Sequence, residues 1–194
     1  FYVLGCFYFL NMNVYDFQDY NESGMMLLNG LRPQEIGESQ YPPFYFYLTS
    51  LFCIFFSDNM SAYSICGYHA MILTSVILYD LTGRKVSFIY LIFPFTIFRV
   101  YMHMSNDVFS NLLLVFFLYF YKNNEIEWSS FFFCLTACYK LVTAFVAPVY
   151  LYNLWKLDKL RALKNVLIMF ATCFLLFLPF LTPDLGYIKT MLTL

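Results

Sequence analysis

Residues 128–155 read WSSFFFCLTACYKLVTAFVAPVYLYNLW, twenty-eight positions that carry one charge, Lys140. As a straight helix, at about 1.5 Å per residue, this run would extend about 42 Å. The hydrocarbon core of a bilayer is about 30 Å thick. The run is therefore too long for one comfortable crossing and too short for two. A pair of half-depth helices, broken near Lys140 and entering and leaving by the same face, fits it better than one strongly tilted span.

The rest of the chain sets the same problem. It is 61% hydrophobic and 23% aromatic, with 12% charged residues and a mean hydropathy of +0.65. An ordinary soluble domain is about 45–50% apolar. Further apolar stretches cover 1–15, 43–56, 62–79, 86–102, 108–121 and 165–182. Phe1 opens inside an apolar run already in progress, as expected of a chain truncated in its first span and continuing upstream. The expected fold class is all-α: a polytopic transmembrane bundle, with short juxtamembrane helices in the first outer loop. As a single membrane domain, 1–194 divides into the truncated span 1–15, an outer loop over 16–61 and transmembrane helices over 62–182.

Basic residues distinguish the two sides, because Lys and Arg collect in cytoplasmic loops. Seven of the eleven fall at Arg84 and Lys85, at Lys122, and at Lys156, Lys159, Arg161 and Lys164. These clusters share a side only if 128–155 goes in and comes back and 43–56 does not cross. Fourteen helical residues reach only about 21 Å, and a start at Pro42-Pro43 with Phe and Tyr following suits an interfacial helix. The segment 16–61 and the turns at 57–61, 103–107 and 182–189 then face outward together.

That outer loop is acidic. Asp16, Asp19, Glu22, Glu35 and Glu38 stand against Arg32 alone. Residues 17–29 read as a short amphipathic helix that Gly30 ends, and 31–41 as a loop. Asp16 and Asp19, three apart, share a helical face. Carboxylates there offset the helix dipole, or serve as a general base at the membrane surface. In RVYMHMSNDVFSN, Arg99 lies within an apolar run, with His103 and Asp107 at its outer end. Arg99 either faces a polar cavity or snorkels outward, and Asp107 read alone is a helix cap. Lys140, near the middle of its run, needs a partner, an anion or a water-filled pocket.

Other classes find no support. No basic tract with interleaved aromatics suggests nucleic acid, and neither a Gly-rich phosphate loop nor a His/Cys zinc spacing is present. The six cysteines all lie in apolar runs without a Cys-x-x-Cys, and read as small lipid-compatible side chains rather than a metal or disulfide set.

The order DFQDY…G…NG…YPP resembles the first extracytoplasmic loop of GT-C superfamily glycosyltransferases, closest to the branch using polyprenyl- or dolichyl-phosphate-mannose. Asp16, Phe17, Tyr20, Gly24, Gly30, Tyr41, Pro42 and Pro43 fall on that pattern. SNDVFSNLLLVFFLYFYKNN resembles the family's outer polar motif with its helix and basic turn. LTACYKLVTAFVAPVYLYNLWK resembles its Lys-bearing pair of short helices. The resemblance spans most of 15–165 of a chain about half the family's usual length. It implies an inverting transfer of a sugar, mannose foremost, from a lipid phosphate to an acceptor hydroxyl on the extracytoplasmic or lumenal face.

The resemblance also implies roles. Asp16 is the general base, with the second acidic position falling on Asp19 or Asp107. Lys140 and Arg99 balance the donor phosphate, and Tyr20, Tyr41, His103 and Asp107 contact sugar or acceptor. The partners implied are a polyprenyl- or dolichyl-phosphate sugar, a glycan, lipid or protein acceptor, and membrane lipids. No cofactor is implied, a divalent cation being left open. The location implied is a multi-pass position in the plasma membrane of a prokaryote or the endoplasmic reticulum of a eukaryote. The rival class is a transporter or lipid flippase, which could use an intramembrane Lys and Arg but would place its carboxylates at mid-membrane.

Overall fold

A computed structural model describes residues 15–30, 41–55, 59–93 and 107–181, with backbone only for 15–21 and 59–64. Among these the chain is all-α, with no strand. Its α-helices are α1 Tyr15–Leu28, α2 Pro43–Phe55, α3 Asn59–Thr82, α4 Arg84–Ile92, α5 Asp107–Lys122, α6 Ile126–Ala137, α7 Ala147–Leu157 and α8 Lys159–Phe177. Two 3-10 segments, Leu141–Val146 and Leu178–Phe180, precede α7 and extend α8.

Local chemistry sets most of these limits. Gly30, at φ 80°, takes the left-handed conformation just past α1, where a residue without Cβ is at no disadvantage. Helix α2 begins at Pro43, whose missing N–H is not needed in a first turn. Helix α5 carries Asp107 in its first turn and Lys122 in its last, both favourable to its dipole. It closes on Asn124 at φ 61°, with Asn124 N donating to Tyr121 O and Glu125 N to Phe120 O, a Schellman turn. The Asp158 carboxylate caps α8 by accepting from the backbone N–H groups of Leu160 and Arg161, at 2.9 and 3.2 Å.

The three basic clusters lie at one end of the bundle. Lys122 Nζ donates to the carbonyls of Asp80 and Leu81, at 2.8 and 3.1 Å, joining the end of α5 to the end of α3 beside Arg84. Arg161 donates to the Asn124 side chain and carbonyl, at 3.1 and 2.7 Å. Lys164 pairs with Glu127 at 3.0 Å, and Arg161 approaches Glu127 at 3.7 Å. The turn of α5 into α6 is thereby tied to the start of α8.

Behind this end a buried polar network crosses three helices. The Tyr150 hydroxyl lies 2.8 Å from Ser130 Oγ and 3.3 Å from Ser129 Oγ. Ser130 Oγ donates to Asn165 Oδ1 at 2.8 Å, and Asn165 Nδ2 donates to Arg161 O at 2.7 Å. Phe117, Phe133, Leu154 and Ala162 pack around it. Small and polar side chains joining helices in this way suit a setting where apolar burial alone does not distinguish partners.

Helix α6 leaves the basic end and reaches the opposite one at Lys140; the 3-10 segment and α7 bring the chain back to Asp158. The break expected near Lys140 is present, as a turn through Cys138 and Tyr139. Helices α6 and α7 are short, of 12 and 11 residues. Lys140 meets Asp107, the first residue of α5, so α6 and its turn run alongside α5 to that end.

Helix α2 lies across that far end. Phe44 N donates to Cys138 O at 2.9 Å, the Tyr47 hydroxyl donates to Leu176 O at 3.1 Å, and the Phe46 and Phe52 rings meet Phe180 and Phe109. Its residues from 44 to 52 thus touch the far tips of α6, α8 and α5, and it does not follow them down the bundle. A second core gathers here, with Tyr45, Phe46, Tyr68, Met71, Phe109 and Tyr139 all buried.

Among the described residues, two helices are long and apolar enough to cross a membrane, by length and composition: Ile65–Thr82 within α3, and Lys159–Phe180. The stretch expected to cross at 108–121 forms a helix of 16 residues, about 24 Å long. Of 86–102, only the part to Phe93 lies within the described residues.

Candidate functional site

The far end collects the polar side chains that the sequence singled out and the structure describes. Lys140 forms an ion pair with Asp107, across thirty-three residues of sequence. The lysine side chain is 46% exposed and the carboxylate 28%. Lys140 thus sits at the break expected near it in the apolar run, and its partner is a carboxylate. It occupies an extended position between α6 and the 3-10 segment, at φ −143° and ψ 107°, where solvent and a carboxylate both reach it. The insertion cost of a helix-centre lysine does not apply to such a turn. Asp107, read as a cap or a sugar contact, stands in the first turn of α5 and is the partner of Lys140.

Aromatic side chains pack beside the pair. Tyr139, next in chain to Lys140, is buried against Phe44 and Tyr45, with ring centroids 6.1 and 6.2 Å apart. Tyr41 stacks on Tyr45 at 4.2 Å with 20° between the rings and stays half-buried. Tyr41 and the Lys140 turn are thus joined through one ring, Tyr45, and through the Phe44–Cys138 hydrogen bond. A Tyr-Pro-Pro start to α2 explains the geometry. Prolines at 42 and 43 fix the approach of the chain, and Phe44 supplies the first free N–H to the carbonyl that ends α6.

Helix α1, which carries Asp16, Asp19 and Tyr20, docks on α2 at Gly24. A Cβ there would stand 2.6 Å from Cys53 Sγ and 2.8 Å from Thr49 O, so only glycine permits the approach. Ser50 Oγ donates to Gly24 O at 3.3 Å across the same contact. The backbones of Asp16, Asp19 and Tyr20 belong to α1, and their side chains lie outside the described residues, as do Arg99 and His103 entirely. The site that can be drawn is therefore Lys140, Asp107, Tyr139 and Tyr41, bordered by α1.

The charges at the two ends differ in use. Glu127 accepts from Lys164, and this hydrogen bond, more than the charges of Lys164 and Arg161, holds its carboxyl below the usual glutamate range. Lys122, Arg161 and Lys164 all reach backbone carbonyls or side-chain acceptors. Lys140 has a carboxylate and open space. A partly exposed ammonium with one carboxylate partner can exchange that partner for another oxyanion, such as a phosphate, without being stripped of solvent first.

Sequence reading missed one assembly. Cys134 and Cys138, four apart on α6, meet Cys173 of α8, with Cys173 Sγ 2.9 Å from Cys134 Sγ and 3.6 Å from Cys138 Sγ. The signal available was the i, i+4 spacing, which puts two thiols on one helical face.

No family model matches the chain, and neither a curated protein nor a solved structure is found to be similar to it.

Proposed function

We propose that this protein is a membrane glycosyltransferase of the GT-C kind, using a polyprenyl- or dolichyl-phosphate sugar at the end of the bundle that carries Lys140. The observation that carries the reading is the partition of charge. Basic clusters gather at one end, and an accessible Lys–Asp pair flanked by tyrosines stands at the other, beneath a helix laid across the bundle. The exposed apolar flank of α8, with Leu160, Leu163, Leu167, Phe170 and Leu175 all open, supports contact with lipid. The basic end is then cytoplasmic, and the donor is met on the extracytoplasmic or lumenal side.

In this mechanism the Asp16 carboxylate takes the proton of the acceptor hydroxyl. The hydroxyl oxygen bonds to the anomeric carbon while the bond from that carbon to the carrier phosphate breaks, inverting the centre. The leaving phosphate changes from a diester to a monoester, and its charge rises toward about −2. Lys140, released in part from Asp107, meets that added charge, with Arg99 a second cation in the same role. An interaction that strengthens as the bond breaks accelerates the step itself. Tyr41 and Tyr20 offer ring faces to the sugar, and His103 a polar edge to the acceptor.

The rival, a transporter or flippase, would hold its ionisable pair within the depth of the bundle; the Lys140–Asp107 pair is at its tip. The test is donor-dependent transfer by the full chain in nanodiscs. With radiolabelled polyprenyl-phosphate mannose and a mixture of simple glycoside acceptors, labelled product is expected, and none with nucleotide-sugar donors. Movement of the labelled donor across sealed vesicles without formation of any glycoside would instead establish the rival.

A further inference from the structure

The geometry points to a binding site for one soft, monovalent metal ion of the Cu(I) class at Cys134, Cys138 and Cys173. It stands apart from the transfer reading and uses none of its residues. Among the described residues, this is the one group of His, Cys, Asp or Glu side chains close enough to share an ion, with all three sulfurs within 4.8 Å of one another.

The donor set selects the ion. Three sulfurs each about 2.3 Å from a common centre would stand about 4 Å apart, close to the 3.6 Å of Cys138–Cys173; a small rotation of Cys173 opens the 2.9 Å contact with Cys134. A structural zinc site closes with four ligands, and no fourth His, Cys or carboxylate joins the group among the described residues. Thiolate-only donors select soft ions. Binding moves no electrons: each sulfur that coordinates as thiolate gives one proton to the medium.

Two of the three thiols are well covered. Cys134 and Cys138 are buried, and Cys134 Sγ also donates to Met169 O at 3.2 Å. Cys173, on α8, is half-buried and the least covered of the three thiols. The bound ion would join α6 to α8 midway between the polar network at one end and the Lys140 turn at the other.

The test uses the unaltered full chain in detergent under anaerobic conditions, titrated with Cu(I) against a coloured Cu(I) chelator. One ion per chain with three-sulfur coordination by X-ray absorption is expected. In the same sample, maleimide labelling read by mass spectrometry should show Cys134, Cys138 and Cys173 protected together, with Cys53 and Cys66 labelled as before. A chain with Ser at 6, 53 and 66 should retain the ion, and Cys138→Ser or Cys173→Ser should lose it at unchanged helix content. Absence of binding, protection of the other cysteines instead, retention of the ion by the cluster variants, or a Cys134–Cys173 disulfide in the anaerobically purified chain would overturn the assignment.

Discussion

The two ends of the bundle handle charge in opposite ways. At the basic end Lys122 covers the last carbonyls of α3, Arg161 clamps the Schellman turn at Asn124, and Lys164 holds Glu127. Each of these three cations answers an oxygen that the fold itself presents. At the far end Lys140 answers one carboxylate and keeps 46% of its surface. Charge that completes helix ends and turns is structural; charge that is held in place yet remains reachable can serve a ligand. The difference teaches why two lysines, both beside helix termini, earn different readings.

If the basic end is a structural unit, its core should be the costliest place to alter. Phe133 is buried against Phe117 and Tyr150, with centroids at 5.3 and 5.4 Å. Phe133→Ala should lower stability by about 3–5 kcal/mol, measured by denaturation in mixed micelles. Phe145→Ala, at a ring 81% exposed on the 3-10 segment, should change it little. Equal losses at both positions would erase the contrast.

The far end should be separable. Gly24→Val forces a side chain against Thr49 O and Cys53 Sγ, an overpacking cost of about 1–3 kcal/mol. Hydrogen exchange should rise in α1 and α2 while α6–α8 keep their protection. Loss of protection throughout the bundle would show that the ends do not act separately.

The smallest effect concerns pH. The Glu127 carboxyl is held below its ordinary range, so the folded state binds its proton less readily than the unfolded chain. Its contribution is fully present above the unfolded glutamate range and is lost as pH falls through the lowered folded value. Because the pair is exposed, Glu127→Gln should remove less than about 1 kcal/mol at neutral pH, and should flatten the acid limb of the stability profile. An unchanged acid limb would show that the ion pair is not maintained in solution.

Much of this division was legible in the residues. Basic clusters joined by one side, Pro43 starting α2, Gly30 ending α1 and a break near Lys140 all rest on local or compositional signals. Helix α1 begins two residues before the expected Phe17, within the usual fraying of such limits. What was not legible is pairing across distance. Nothing local links Asp107 to Lys140, or Ser130 to Asn165, because a buried polar residue and an exposed one look alike until the helices meet. Run length calls for a break near Lys140, but Cys138 and Tyr139 carry no turn signal, so which residues form the turn, and that Phe44 N takes the Cys138 carbonyl, was not legible. The roles given to Asp16, Asp19, Tyr20, Arg99 and His103 rest on the sequence resemblance.

The most direct measurement compares the two lysines as ligands. Affinity for polyprenyl-phosphate mannose should be measured on the full chain in nanodiscs for Lys140→Met, Lys140→Arg and Lys122→Met, with helix content checked for each. The account predicts that Lys140→Met weakens donor binding on the order of tenfold or more, the loss of about 1.4 kcal/mol or more. It predicts partial recovery in Lys140→Arg, since charge survives with altered geometry, and unchanged affinity in Lys122→Met. Donor binding as tight in Lys140→Met as in the parent, or equally weakened in Lys122→Met, would contradict it.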